Sequence, residues 1–197
     1  MVQLDLVVLK NGLERLSVLI QGLSYANLDQ VTKGEVQDMN SELKKIYDNI
    51  IKILRPFYDI LNKEPGTFQS EFDKAFKNYK ESDLKHANKF DYHCKIVTDK
   101  LRSIAKKKNR FIMLPSTKKL LAELNRKLDL WILRDDQVYD RINELDDMLN
   151  EGLSPISSAI KRGSKIKAQN ELREFLLESK PSFEQIKVQR RTIANFG

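Results

Sequence analysis

The sequence has 197 residues, and its 35 Lys and Arg side chains exceed its 28 Asp and Glu side chains to give a net charge of +7. A single Cys excludes an internal disulfide, and 7 Gly and 5 Pro in a chain that is 41% apolar exclude collagen-like and low-complexity classes. The positive charge favours an anionic partner, which is nucleic acid, an anionic membrane or an acidic protein.

The N-terminal segment, residues 1–9, carries no targeting signal. Asp5 interrupts its apolar residues, and no basic region precedes them, so it is not predicted to be a signal peptide. No window of the sequence approaches the roughly 20 apolar residues that a membrane-spanning helix needs. We therefore expect an intracellular, cytoplasmic protein.

Apolar residues recur every three or four positions along most of the chain, which is the spacing of one face of an α-helix. No stretch alternates with the period of two that is typical of a strand, so the pattern predicts an all-α fold. Four stripes carry this prediction: Leu6, Leu9, Leu13, Leu16, Ile20 and Leu23; Val36, Met39, Leu43, Ile46, Ile50, Ile53, Phe57 and Ile60; Ala87, Phe90, Cys94, Val97, Leu101 and Ile104; and Leu121, Leu124, Leu128, Trp131, Asp135, Val138, Ile142, Leu145 and Leu149.

Gly, Pro and capping residues divide the stripes into helices. Gly66 ends the second helix, and Thr67 caps the third. Gly152 closes the fourth helix, Pro155 begins the fifth, and Pro181 begins a short terminal helix. The predicted helices lie near 3–29, 35–63, 67–109, 116–151, 155–179 and 182–196.

The predicted helices are long and are joined by short turns, so neighbours should run antiparallel. A helix over 116–151 would span roughly 54 Å, whereas a compact chain of this length has a radius of gyration of about 16 Å. We therefore predict one elongated antiparallel helical bundle of about five or six heptad-patterned helices over residues 1–197. Its terminal helix would pack on the bundle or on a partner. A dimer, or a subunit packed against other chains, is the alternative.

Residues that could support catalysis are few. His86 and His93 lie two turns apart, and although Asp83 precedes His86 by three residues, no second acid-histidine pair completes a metal site. Cys94 lies on an apolar stripe, where a thiol is buried and inert. There is no Gly-rich phosphate loop and no nucleophile elbow. We therefore predict no enzymatic activity, no catalytic residue, no metal, no cofactor and no small-molecule substrate.

The charge is unevenly distributed along the chain. Residues 1–65 carry 8 basic and 9 acidic side chains, 66–134 carry 17 and 8, 135–153 carry 1 and 7, and 154–197 carry 9 and 4. Three clusters account for the basic excess. They are a predicted hairpin tip (Lys106, Lys107, Lys108, Arg110, Lys118 and Lys119), a second cluster (Lys161, Arg162, Lys165 and Lys167) and a third (Lys187, Arg190 and Arg191).

Several interpretations compete for these cations. Clustered lysines can bind a nucleic-acid backbone without reading bases, and the four apolar residues 111–114 at the tip could enter an anionic membrane surface. An acidic protein partner is a third interpretation. The fourth is a solvated helix end whose cations favour the helix C-terminus.

From these patterns we predict a non-enzymatic interaction protein that self-associates or joins other protein subunits as one component of a larger assembly. It would contact an anionic partner through the hairpin tip and the second cluster. The alternatives are a nucleic-acid-binding subunit and a long-helix membrane-surface or pore-forming component.

Overall fold

The computed structural model describes residues 2–24, 30–82, 84, 119, 126 and 136–194, and these residues form helices and turns without a strand. The prediction of an all-α fold is confirmed for this part of the chain. In chain order the helices are α1 (Val7–Ser24), α2 (Gln30–Ile60), α3 (Phe68–Lys80), α4 (Asp136–Lys161), α5 (Lys165–Leu176) and α6 (Lys180–Ala194), with a short 3-10 helix (Pro65–Thr67) before α3. No described helix is long and apolar enough to cross a membrane.

Most members of the first two apolar stripes are buried in the core, as the sequence predicts. Their buried members are Leu6, Leu9, Leu13, Leu16 and Ile20 from the first stripe, and Val36, Leu43, Ile46, Ile50, Ile53, Phe57 and Ile60 from the second. Ile142, Leu145 and Leu149 of the fourth stripe are also buried. The third stripe, with His86, His93 and Cys94, lies outside the described residues, as do the earlier positions of the fourth.

The corner between α2 and α3 follows the predicted turn. Residues 61–67 separate the two helices, and Thr67 occupies the N-cap position of α3. Its hydroxyl donates to the Glu64 carbonyl at 3.1 Å instead of capping the helix. Phe72 of α3 is buried and meets the Phe57 ring edge-on, with the ring centroids 6.0 Å apart. This aromatic contact fixes α3 against α2.

The predicted helix boundary at Gly152 is wrong. Helix α4 continues through Gly152 and Pro155 to Lys161. A Cβ atom at position 152 would lie 2.2 Å from Cε2 of Phe175, which belongs to α5. Glycine is therefore required here because α5 packs directly against the α4 backbone, and not because the helix ends.

Contacts among the described helices converge on one core. Helix α2 contacts α1, α3 and α6, while α4 contacts α1, α3 and α5. The terminal helix begins two residues before its predicted start, with Pro181 in its first turn, and packs against α2 and α1. The N-terminal segment joins the same core, because the Leu4 amide donates to the Phe175 carbonyl at 3.0 Å in the last turn of α5.

Buried tyrosine hydroxyls connect helices that are distant in sequence. Tyr47 of α2 donates to Gln189 of α6 at 2.7 Å and lies 3.1 Å from the Ser17 hydroxyl of α1. Tyr79 of α3 donates to the backbone carbonyl and the carboxylate of Asp146 on α4, at 3.0 and 2.8 Å. Burial raises the pKa of both tyrosines well above the ordinary value, so each hydroxyl stays protonated and donates.

Candidate anion-binding surface

The structure describes four of the nine cations that the sequence nominates for an anionic partner. Lys161, Arg162 and Lys165 lie together at the junction of α4 and α5, and Lys119 is exposed. The other five, which belong to the predicted hairpin tip, lie outside the described residues: Lys106, Lys107, Lys108, Arg110 and Lys118. The hairpin tip stays a prediction.

The α4–α5 junction, residues 161–167, is called the basic turn below. Its backbone is fixed by a Schellman motif, in which the Ser164 amide donates to the Ala159 carbonyl and the Gly163 amide donates to the Ile160 carbonyl, both at 2.9 Å. Gly163 has a φ of +80°, a left-handed conformation that glycine adopts without strain. Since α5 starts at Lys165, the basic turn is a short, hydrogen-bonded corner.

Every side chain of the basic turn is exposed to solvent. Lys167 pairs with Glu171 at 3.7 Å, while Arg162 Nε donates to the Ser158 carbonyl at 3.3 Å. Lys161 and Lys165 have no ion-pair partner within the described part of the chain. The basic turn therefore presents four cations, and three of them have no ion pair with any residue that the structure describes.

The two ends of the basic turn have opposite electrostatic preferences. Lys161 occupies the last turn of α4, where the negative end of the helix dipole favours a cation. Lys165 and Lys167 occupy the first turn of α5, which holds no acidic residue and where the positive end disfavours them. The local helix energetics therefore do not account for the cations on the α5 side.

Ile166 is the feature of the basic turn that the sequence analysis missed. Its side chain is 77% exposed and stands between two lysines. Ile166 does not lie three, four or seven residues from the buried Leu172, so the sequence does not place it on the buried face of α5. This mismatch is the signal in the sequence that Ile166 is exposed. An apolar side chain among cations adds contact area for a bound partner.

The third basic cluster differs from the basic turn because its charges are largely compensated by the protein itself. Arg190 holds both carboxylate oxygens of Asp48, at 2.7 and 2.9 Å, and this contact raises the Arg190 pKa. Lys187 pairs with Glu184 at 2.8 Å and lies 5.3 Å from the centre of the Phe183 ring. Of the three cations in this cluster, only Arg191 is exposed and has no ion pair with a described residue.

A groove between α2 and α3 was not predicted. It has a volume of about 490 Å³, and charged side chains from both helices line it. The sequence gives a weak signal for it, because Lys52, Arg55 and Asp59 follow helical spacing on one face of α2. Among the described residues, no group of three or more His, Cys, Asp or Glu side chains could hold a metal ion.

Comparison with known proteins gives no relative: no family model, no curated protein and no solved structure matches the chain.

Proposed function

We propose that this chain is a non-enzymatic interaction protein, an elongated helical bundle formed as one domain over residues 1–197, that contacts an anionic macromolecule through the basic turn. The observation that carries the proposal is the exposed set of cations in residues 161–167, three of which have no ion pair among the residues that the structure describes. The predicted hairpin tip, residues 106–119, would extend the same surface chemistry.

Repulsion among its cations destabilises the basic turn when no anion is bound. Four like charges within seven residues repel one another, and on the α5 side the helix dipole adds to the cost. An anionic partner removes both the repulsion among the cations and the unfavourable interaction with the helix dipole, because its charges act as acidic residues in the first turn of α5 would. The compensated third cluster provides the contrast within the same chain: Arg190 and Lys187 have internal partners and do not need an external one.

The chemistry of the cations points to charge attraction more than to shape-specific recognition. Lysines outnumber arginines three to one in the basic turn, and a lysine ammonium acts as a point charge without the planar fork of a guanidinium. The partner is therefore expected to be recognised by its charge density. A nucleic-acid backbone and an acidic protein segment both have this property, and the test below distinguishes them.

The assembly part of the proposal rests on the predicted stripes over 87–104 and 121–149, most of which lie outside the described residues. Long heptad stripes are typical of helices that pack against each other or against further chains. Light scattering on the purified chain tests it. A mass above that of one 23.0 kDa chain indicates self-association, and a single-chain mass leaves other subunits as the partners.

The experiment for the anionic contact is fluorescence anisotropy with labelled duplex DNA, single-stranded RNA and polyglutamate at low salt. The test variant is Lys161→Glu, Arg162→Glu and Lys165→Glu together. The control variant is Arg15→Glu, Lys33→Glu and Lys180→Glu together, which makes the same charge change at exposed positions of α1, α2 and α6.

We expect the test variant to lose at least about tenfold in affinity, or about 1.4 kcal/mol, while the control variant loses much less. Tighter binding of DNA or RNA assigns a nucleic-acid partner, and tighter binding of polyglutamate assigns an acidic protein. Equal losses in both variants would mean that only net charge matters, and would refute the role of the basic turn. Absence of binding to all three probes would refute the proposal.

A further inference from the structure

The groove between α2 and α3 is a second, independent candidate for a binding site. Its volume of about 490 Å³ lies within the range of about 300 to 1,000 Å³ that is usual for small-molecule sites. Ile51, Pro56 and Ala75 supply its apolar surface, and they are buried or half-buried. The remaining lining is polar and charged.

Two internal ion pairs neutralise three charged side chains of the groove lining, namely Asp48, Lys63 and Glu71. Arg190 of α6 compensates Asp48 through two hydrogen bonds. Lys63, in the turn between α2 and α3, pairs with Glu71 of α3 at 3.0 Å, and both residues line the groove.

The groove keeps a net positive charge after these pairs are removed. Lys52 and Arg55 of α2 and Lys74 of α3 line it and have no ion pair within the described part of the chain. Asp59 is the one lining carboxylate without an ion pair to a described residue, and Asn78 adds an amide. Three cations against one carboxylate give +2, contributed by two helices that pack together.

The groove also offers hydrogen-bond acceptors. Pro56 has no N–H, so the Lys52 carbonyl lacks its usual helical donor, and both residues line the groove. The Asp59 carboxylate lies one turn beyond Arg55 on the same face of α2. A ligand that matches this set carries an anionic group for the cations and hydroxyl or amine donors for the acceptors.

We propose that the α2–α3 groove binds a small phosphorylated molecule with free hydroxyl groups, the chemistry shared by sugar phosphates and nucleotides. The phosphoryl oxygens accept from Lys52, Arg55 and Lys74, since three cationic donors suit a phosphoryl group better than the two oxygens of a carboxylate. The hydroxyl groups donate to Asp59. This molecule is a bound ligand and not a substrate, and its site is separate from the basic turn.

The test is calorimetric titration together with amide chemical-shift mapping, with inorganic phosphate, ribose 5-phosphate and adenosine 5′-monophosphate as probes at millimolar concentration. We expect the amide shifts to fall on α2 and α3 around residues 51–59 and 74–78. Ribose 5-phosphate should bind more tightly than inorganic phosphate. Arg55→Gln should weaken every probe by about fivefold, the equivalent of one exposed charge contact of about 1 kcal/mol.

Asp59→Asn should strengthen the binding of inorganic phosphate and reduce the preference for ribose 5-phosphate. Removing the carboxylate removes its repulsion of inorganic phosphate, so that probe should bind about twofold more tightly; the effect is smaller than that of Arg55→Gln because Asp59 repels the phosphate without a direct contact. The preference for ribose 5-phosphate over inorganic phosphate should decrease, because its hydroxyl groups lose an acceptor.

Lys180→Gln, at an exposed position of α6 outside the groove and the basic turn, is the control and should leave binding of all three probes unchanged. Absence of binding, shifts confined to residues 161–167, or equal losses in Arg55→Gln and Lys180→Gln would each overturn the groove proposal. Because amide shifts on α2 and α3 are observed separately from shifts on the basic turn, failure of the groove proposal is distinguishable from failure of the proposed anionic macromolecular contact.

Discussion

Replacing Gly152 by Ala tests the continuous α4 helix and its contact with α5. The new Cβ would lie 2.2, 2.5 and 2.6 Å from three carbons of the Phe175 ring. Ordinary contact begins near 3.4 Å, so the ring or the helix must move by at least 1.2 Å. Phe175 is only 2% exposed, and a ring enclosed in this way has no open space to enter.

The expected cost combines two opposing effects. Overpacking of this severity costs about 3 kcal/mol, at the upper end of its usual range. The change from glycine to alanine inside a helix returns about 1 kcal/mol. The free energy of unfolding should therefore fall by about 2 kcal/mol, which corresponds to a decrease of about 4 to 8 °C in the melting temperature of a chain of this size. Urea and thermal unfolding followed by far-UV circular dichroism measure both quantities.

Gly34→Ala is the matched control, since Gly34 also lies inside a helix and a Cβ there would meet nothing within 4 Å. It should raise the free energy of unfolding by about 0.5 to 1 kcal/mol. Phe175→Leu should remove most of the penalty of Gly152→Ala in the double variant. If Gly152→Ala stabilised the protein as Gly34→Ala does, the α4–α5 contact would be refuted.

Three further predictions concern buried tyrosines and the basic turn. Tyr58→Phe removes the 2.5 Å hydrogen bond to Ser179 but keeps the ring stack, so urea unfolding should show a loss of about 1 kcal/mol; an unchanged value would contradict the bond. Burial raises the pKa of Tyr47 and Tyr58 above 10.0. Stability is therefore intact below pH 10 and should fall above it, as only the unfolded chain ionises; a pH dependence unaltered by Tyr47→Phe would contradict this. Lys165→Glu should stabilise α5 by about 0.5 kcal/mol in urea unfolding, and a loss of stability would contradict the dipole argument.

The apolar stripes were predictable because burial follows the helical period directly. Leu13 and Phe57 each lie on the apolar stripe of their helix, and both are buried in the core. The break at Gly152 was predicted wrongly because a glycine inside a helix and one at its end look alike in sequence. What distinguishes Gly152 is the Phe175 ring against it, a contact across 23 residues that local pattern does not contain.

The true helix end at Gly163 carried a usable signal. Two basic residues precede Gly163 and a serine follows it, which is the usual order of a helix C-terminus followed by an N-cap. The sequence predicts where basic residues cluster, but it does not predict which of them are paired with acidic residues of the same chain. Arg190 and the basic turn look equally cationic in sequence, and only the packing of α6 on α2 places Asp48 against Arg190.

The salt dependence of duplex DNA binding tests most directly the central proposal, that the basic turn is a cationic surface that contacts an anionic partner. Each phosphate contact contributes about 0.9 to the slope of log affinity against log salt concentration. If Lys161, Arg162 and Lys165 bind the polyanion, the triple Glu variant should have a slope shallower by about 3, and the variant at Arg15, Lys33 and Lys180 should keep the original slope. Identical slopes for the two variants would contradict the account.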